Sequence, residues 1–182
     1  MTKFDRQKLA GIVLYILNKT KGLDCYHVSK VICLANIPYP AKYGFRMTAG
    51  EFRALPDGPV PSVLYNRIRN GCHCGKGLKA MTDGSVSKGD CDAYYMPAAE
   101  READSDCLSK ADIEETGRPM GKNACLPYGE LREKSHGEER NRAYGNPGEK
   151  VTDVLGMAKD GMAASDMPDY IKGNLSMESA LL

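Results

Sequence analysis

Apolar residues near the start of the chain recur at the spacing of a single helix face. Leu9, Ile12, Val13 and Ile16 fall at i, i+3, i+4 and i+7, which predicts an amphipathic helix with one buried stripe. Thr2 with Asp5 three residues on has the form of a capping box, and Gly22 follows the segment as a stop. Asp24 is a good N-cap for a second helix that buries Val28, Val31, Ile32 and Ala35. Pro38 and Pro40 end that helix, because proline lacks the amide hydrogen and clashes with the preceding turn. A loop is expected from Tyr39 to Pro59, with Gly58 in a turn conformation closed to other residues. Pro59 or Pro61 then sits in the first turn of a third helix carrying Val60, Val63, Leu64 and Ile68, closed by Gly71.

The pattern changes over residues 71–92, where Gly71, Gly75, Gly77, Gly84 and Gly89 with few large apolar side chains read as a loop or linker. Ala93-Tyr94-Tyr95-Met96 is the strand candidate, paired in a short hairpin with nearby residues. Ser109 and Asp112 form a second capping-box signal for a helix through Ile113, which Gly117, Pro119 and Gly121 interrupt. Helices are also expected over Gly129 to Ser135, over Glu149 to Ala164 on a stripe of Val151, Val154, Leu155, Ala158 and Met162, and over Asp169 to Leu181, the last burying Ile171, Leu175 and Leu181. The predicted fold is mainly α, a compact helical bundle with a small antiparallel β element. Residues 1–182 read as one domain, with the helices of 145–182 packing on the rest.

Charge narrows the classes of function. The chain has 25 Lys+Arg against 24 Asp+Glu, a formal net charge of +1. Duplex-binding domains draw most of their affinity from a basic excess, so nucleic acid is disfavoured as a partner. The first residues lead into an amphipathic segment, with neither a signal peptide nor an apolar run long enough to span a bilayer, so no membrane role and a cytoplasmic location are expected. The seven cysteines are odd in number and read as free thiols of a reducing compartment.

Four blocks stand out as strings. The first is Lys30-Val31-Ile32-Cys33-Leu34-Ala35-Asn36, followed by Lys42-Tyr43-Gly44. The second is Phe52-Arg53-Ala54-Leu55-Pro56-Asp57-Gly58-Pro59-Val60, running on to Leu64-Tyr65. The third is Leu108-Ser109-Lys110-Ala111-Asp112, and the fourth Gly129-Glu130-Leu131 through Ser135-His136. In order and spacing, over residues 5–144, they resemble the SocA-like Panacea antitoxin family. Asn36 stands where an acidic residue is common in that family. The resemblance implies a bacterial or phage-associated intracellular protein that neutralises a cognate toxin protein by direct binding, in one variant as an adaptor delivering the toxin to a cellular protease. From the residues themselves, which assemble no catalytic constellation, no catalytic residue, metal or cofactor is expected.

The residues themselves offer a rival chemistry. Cys72-His73-Cys74 in its glycine-rich setting suggests a small metal-binding enzyme or a nucleic-acid-binding regulator. A structural zinc site ordinarily pairs two such ligand couples, and the second couple is missing from the string. Cys25 and His27, two apart on a helix, face different directions, and His136 suits a helix C-terminus beside Gly137. Tyr65 fits core packing. Tyr39, Tyr43, Arg46 and Arg53 are the candidates for a protein interface, since aromatics and arginine dominate binding hot spots; Tyr39, Tyr43 and Arg46 fit a packing role equally well. The charged run from Glu130 to Arg142 reads as a solvated helical face that could set partner register.

Overall fold

A computed structural model describes residues 1–67 and 95–180. It is mainly helical, with two small antiparallel sheets of two strands each. Helix α1 (Lys3–Thr20) starts where the chain's local chemistry places it. Thr2 accepts from the Asp5 amide at 3.1 Å while the Asp5 carboxylate accepts from the Thr2 amide at 2.7 Å. Lys21 closes the helix in the left-handed region, and Gly22 follows at φ 106°. Strand β1 (Gly22–Asp24) leads into α2 (Cys25–Asn36), whose first turn Asp24 caps at the His27 amide, 3.0 Å.

Beyond α2 the structure corrects the expected loop. Pro38 does not only end α2. It opens α3 (Pro38–Tyr43), because a proline at the first helical position costs no hydrogen bond and brings a pre-set φ. Strands β2 (Phe52–Leu55) and β3 (Gly58–Pro61) then form a hairpin in which Ala54 pairs with Pro59 and Phe52 with Pro61. Pro59, Val60 and Pro61 are therefore strand residues and not the start of a helix, which begins at 62 and is described through 67. A two-stranded sheet leaves an open edge where the missing proline amides cost nothing. Gly58 adopts φ 100°, with the Ser135 hydroxyl and the Lys30 ammonium where a Cβ would sit.

Strand β4 (Tyr95–Pro97) pairs with distant β1, Leu23 lying opposite Met96, and among the described residues with no neighbour in sequence. A short 3-10 turn (Ser105–Cys107) precedes α4 (Lys110–Asn123). Its Ser109–Asp112 capping box forms as expected, but the helix runs unbroken through Gly117, Pro119 and Gly121. Packing overrides propensity here: the helix lies against α1 and α2 with Asp112, Glu115 and Thr116 buried, and Gly117 lets the Tyr15 hydroxyl approach.

Helices α5 (Tyr128–Lys134) and α6 (Glu138–Gly145) follow. The charged run is not simply a solvated face, since Glu139 and Arg140 are buried. The helix expected over Glu149 to Ala164 shrinks to α7 (Val154–Asp160), capped by Asp153. Its lost first turns extend the hairpin instead: Val151 bridges Arg53, and the Thr152 amide donates to the Phe52 carbonyl at 2.9 Å. Helix α8 (Met167–Ala180) buries Ile171 but leaves Leu175 exposed, a further correction, while Leu181 lies outside the described residues.

The main core gathers the buried stripe of α1, the apolar face of α2 (Cys25, Val28, Val31, Ile32, Cys33 and Ala35), and Tyr39, Met47, Phe52, Leu64, Met96 and Leu108. A small satellite of Val154, Ala158 and Ile171 holds α7 to α8. No described helix is long and apolar enough to cross a membrane.

Candidate functional site: an aromatic-rimmed cleft

Helix α3 delivers a ladder of aromatic rings from the interior to the surface. Tyr39 is buried, with its ring centroid 4.4 Å from that of Tyr43 and 5.7 Å from that of Phe45. Tyr43 is half-buried and Phe45 is 48% exposed. Gly44 makes the bend between them at φ 78°, and a Cβ there would strike the Tyr170 ring of α8. Phe45 stands on the rim of a cleft of about 390 Å³, with Phe4 of α1 and Leu175 of α8 on the other walls. Phe4 at 55% and Leu175 at 41% are as open to solvent as Phe45. Three large apolar side chains thus stand open to solvent around one concave floor.

The floor is held by polar groups that are spoken for internally. Arg46 lines the cleft, but its guanidinium donates to the Thr152 carbonyl at 2.6 Å and the Gly50 carbonyl at 3.4 Å. It ties the turn at 44–50 to the segment before α7. Tyr39 donates its hydroxyl to Asp112 at 2.9 Å, and Lys8 reaches the same carboxylate at 2.9 Å. Burial alone would raise Asp112, but the hydrogen bonds from Lys8 and Ser109 outweigh it and hold the carboxyl below the usual range. Next along α4, buried Glu115 is gripped by Lys42 and by Arg118.

Of the residues singled out in sequence, Tyr43 and Arg46 meet near this cleft. Tyr39 supports it from the interior and presents no free face. Arg53 is exposed on β2, beside the Val151 bridge. Phe4 and Phe45 carried no motif and were not foreseen, and Leu175 was expected on the buried stripe of the last helix, not at the surface where it stands.

Other chemistry is placed elsewhere. His27 sets Nδ1 against the Asp24 carboxylate and Nε2 2.8 Å from the Leu126 carbonyl. His136 does not cap a helix end, a role that falls to Ser135. Its ring lies beside Gly58, and burial together with Arg140 and Lys30 pushes its pKa down. Lys30 is fully buried, donates to the Pro59 carbonyl at 3.1 Å, and is pulled down to about 8 by burial. The Cys33 thiol shares that carbonyl and is pushed up to about 12 by burial. Cys72, His73 and Cys74 lie outside the described residues. Among the described residues no group of three or more His, Cys, Asp or Glu converges.

A family model described as "Antitoxin SocA-like, Panacea domain" matches residues 28–141, more than half of the chain. No curated protein and no solved structure matches it. The matched span runs from α2 into α6. It holds Phe45 and Arg46, while Phe4 and Leu175 come from the flanks.

Proposed function

The chain belongs to the SocA-like Panacea antitoxin family, and from that premise we propose that it binds and neutralises a partner toxin protein through the aromatic-rimmed cleft. Neutralisation by binding needs no reacting group. It needs a surface that covers the toxin's own site, burying on the order of 1,200–2,000 Å². The observation that supports the cleft is the exposure of Phe4, Phe45 and Leu175 around one concavity. Such side chains gain most when a partner desolvates them. Tyr43 backs Phe45, Arg46 fixes the turn that presents it, and exposed Arg53 belongs to the polar rim. The protein acts in the cytoplasm, where its toxin is made, and carries no catalytic group of its own.

The test pairs the chain with the product of the adjacent reading frame, by co-expression and by titration of the purified proteins. Protection should saturate near one-to-one. Phe45→Ser combined with Leu175→Ser should weaken binding by about 2 kcal/mol or more while the protein stays folded. Protection by far fewer antitoxin than toxin molecules, unaffected by the double change, would sink the binding model.

A further inference from the structure

Helix α1 is flanked by a second concavity of opposite character. On the face turned away from Phe4 and Lys8, a groove of about 610 Å³ opens between α1, the helical residues at 62–67 and the segment before α4. Lys3, Arg6, Arg67 and Arg101 stand around it, and Ala10, Leu14 and Val63 line its floor.

Three of these four cations, Lys3, Arg6 and Arg67, have no carboxylate partner among the described residues. By contrast, Lys8, Lys42, Arg118, Arg132 and Arg142 each face a carboxylate. The one carboxylate on the lining, Asp104, turns back on its own loop, accepting from the Asp106 amide at 3.0 Å and facing the Cys107 thiol. A concave site with several like charges concentrates field and draws in the opposite sign.

We propose that this groove binds an acidic peptide segment of a partner protein. Carboxylates of the segment pair with Lys3, Arg6 and Arg67, guanidinium groups offering two parallel donors each. An apolar side chain of the segment settles on the floor between Leu14 and Val63. A nucleic acid fits less well. Its backbone calls for an extended basic stripe, whereas the chain has a net charge of only +1. Its unpaired bases call for aromatic platforms, and among the described residues no aromatic side chain lines the groove. The groove and the aromatic cleft share α1 but no lining side chain, so this proposal stands or falls apart from the toxin-binding one.

The probe is a short fluorescein-labelled peptide of Asp and Glu interrupted by Leu, titrated with the full-length protein by anisotropy. A matched peptide with Asn and Gln in place of the acids, and a single-stranded oligonucleotide of similar length, serve as comparisons. The acidic peptide should bind more tightly than either and weaken with added salt. Arg6→Glu combined with Arg67→Glu should weaken it about tenfold or more, while Phe45→Ser leaves it unchanged. Should the double variant melt below the parent, Arg6→Gln at its exposed position should still weaken binding about threefold. Equal binding of the acidic and neutral peptides, indifference to both Arg changes, or tighter binding of the oligonucleotide would each overturn the proposal.

Discussion

The junction of α1, α3 and α4 and the cleft between α1, the 44–50 turn and α8 lie side by side and invert each other. In the junction the buried groups are polar: Asp112 takes Tyr39 and Lys8, and Glu115 takes Lys42 and Arg118. In the cleft the exposed groups are apolar: Phe4, Phe45 and Leu175. The two are linked through Lys8 and the Tyr39 ring, which Lys8 approaches at 5.8 Å. The comparison teaches that paired charges beneath this surface, together with the packing of α3 on α7, hold its shape. Paired groups hold α3 in one position and so free its neighbouring aromatics for solvent.

The comparison breaks most severely if the junction loses its carboxylate. Asp112→Ala leaves Lys8 and the Tyr39 hydroxyl without their acceptor in a buried setting, and should cost about 3–5 kcal/mol in a denaturant titration. A loss below about 1 kcal/mol would mean the pairing is ornamental.

Lys30 tests whether a buried cation always has a charge to answer it. Its folded pKa of about 8 lies below its ordinary 10.5. Between those values the unfolded chain binds more protons than the folded one, so the parent's stability rises with pH across that window. Lys30→Met removes this slope. Measured against the parent, the variant should therefore lose ground from pH 7.5 to 10, by up to roughly 2–3 kcal/mol. Cys33 runs the other way above its ordinary value, because its thiol is pushed up to about 12, but both proteins carry it. A difference that does not change with pH would refute the reading.

The smallest effect belongs to the surface. Phe45→Ser should move the unfolding midpoint by no more than about 0.5 kcal/mol, as befits a side chain with half its area in water. A larger loss would make Phe45 part of the core and remove the contrast with the junction.

What could be read from the string follows the range of the physics. The caps at Thr2, Asp24 and Ser109 each depend on residues three apart, and all three form. The course of α4 through Pro119 depends on burial of Glu115 and Thr116 against distant helices, and local rules stop it too early. The β1–β4 pair joins Leu23 to Met96, and the segment at 150–152 joins β2. Neither partner is visible to a window a dozen residues wide. Tyr43 and Arg46 were legible as residue types, but the cleft itself needs Leu175 from the far end of the chain. Glu139 and Arg140 sat within a run of mixed charge, and only the fold distinguishes them from the exposed charges around them.

The satellite cluster of Val154, Ala158 and Ile171 has a thermodynamic consequence for the cleft. Helix α8 supplies one wall, and its anchorage is Ile171 in that cluster together with the seat of Tyr170 against Gly44. Withdrawing one such buried side chain costs roughly 1.5–3 kcal/mol, against roughly 5–15 kcal/mol for unfolding a whole domain. The last helix is therefore expected to open as a local unit before the main core yields. Cleft width becomes an equilibrium property of a few contacts, and a partner that prefers the closed wall gains affinity in proportion to how often the wall is already in place.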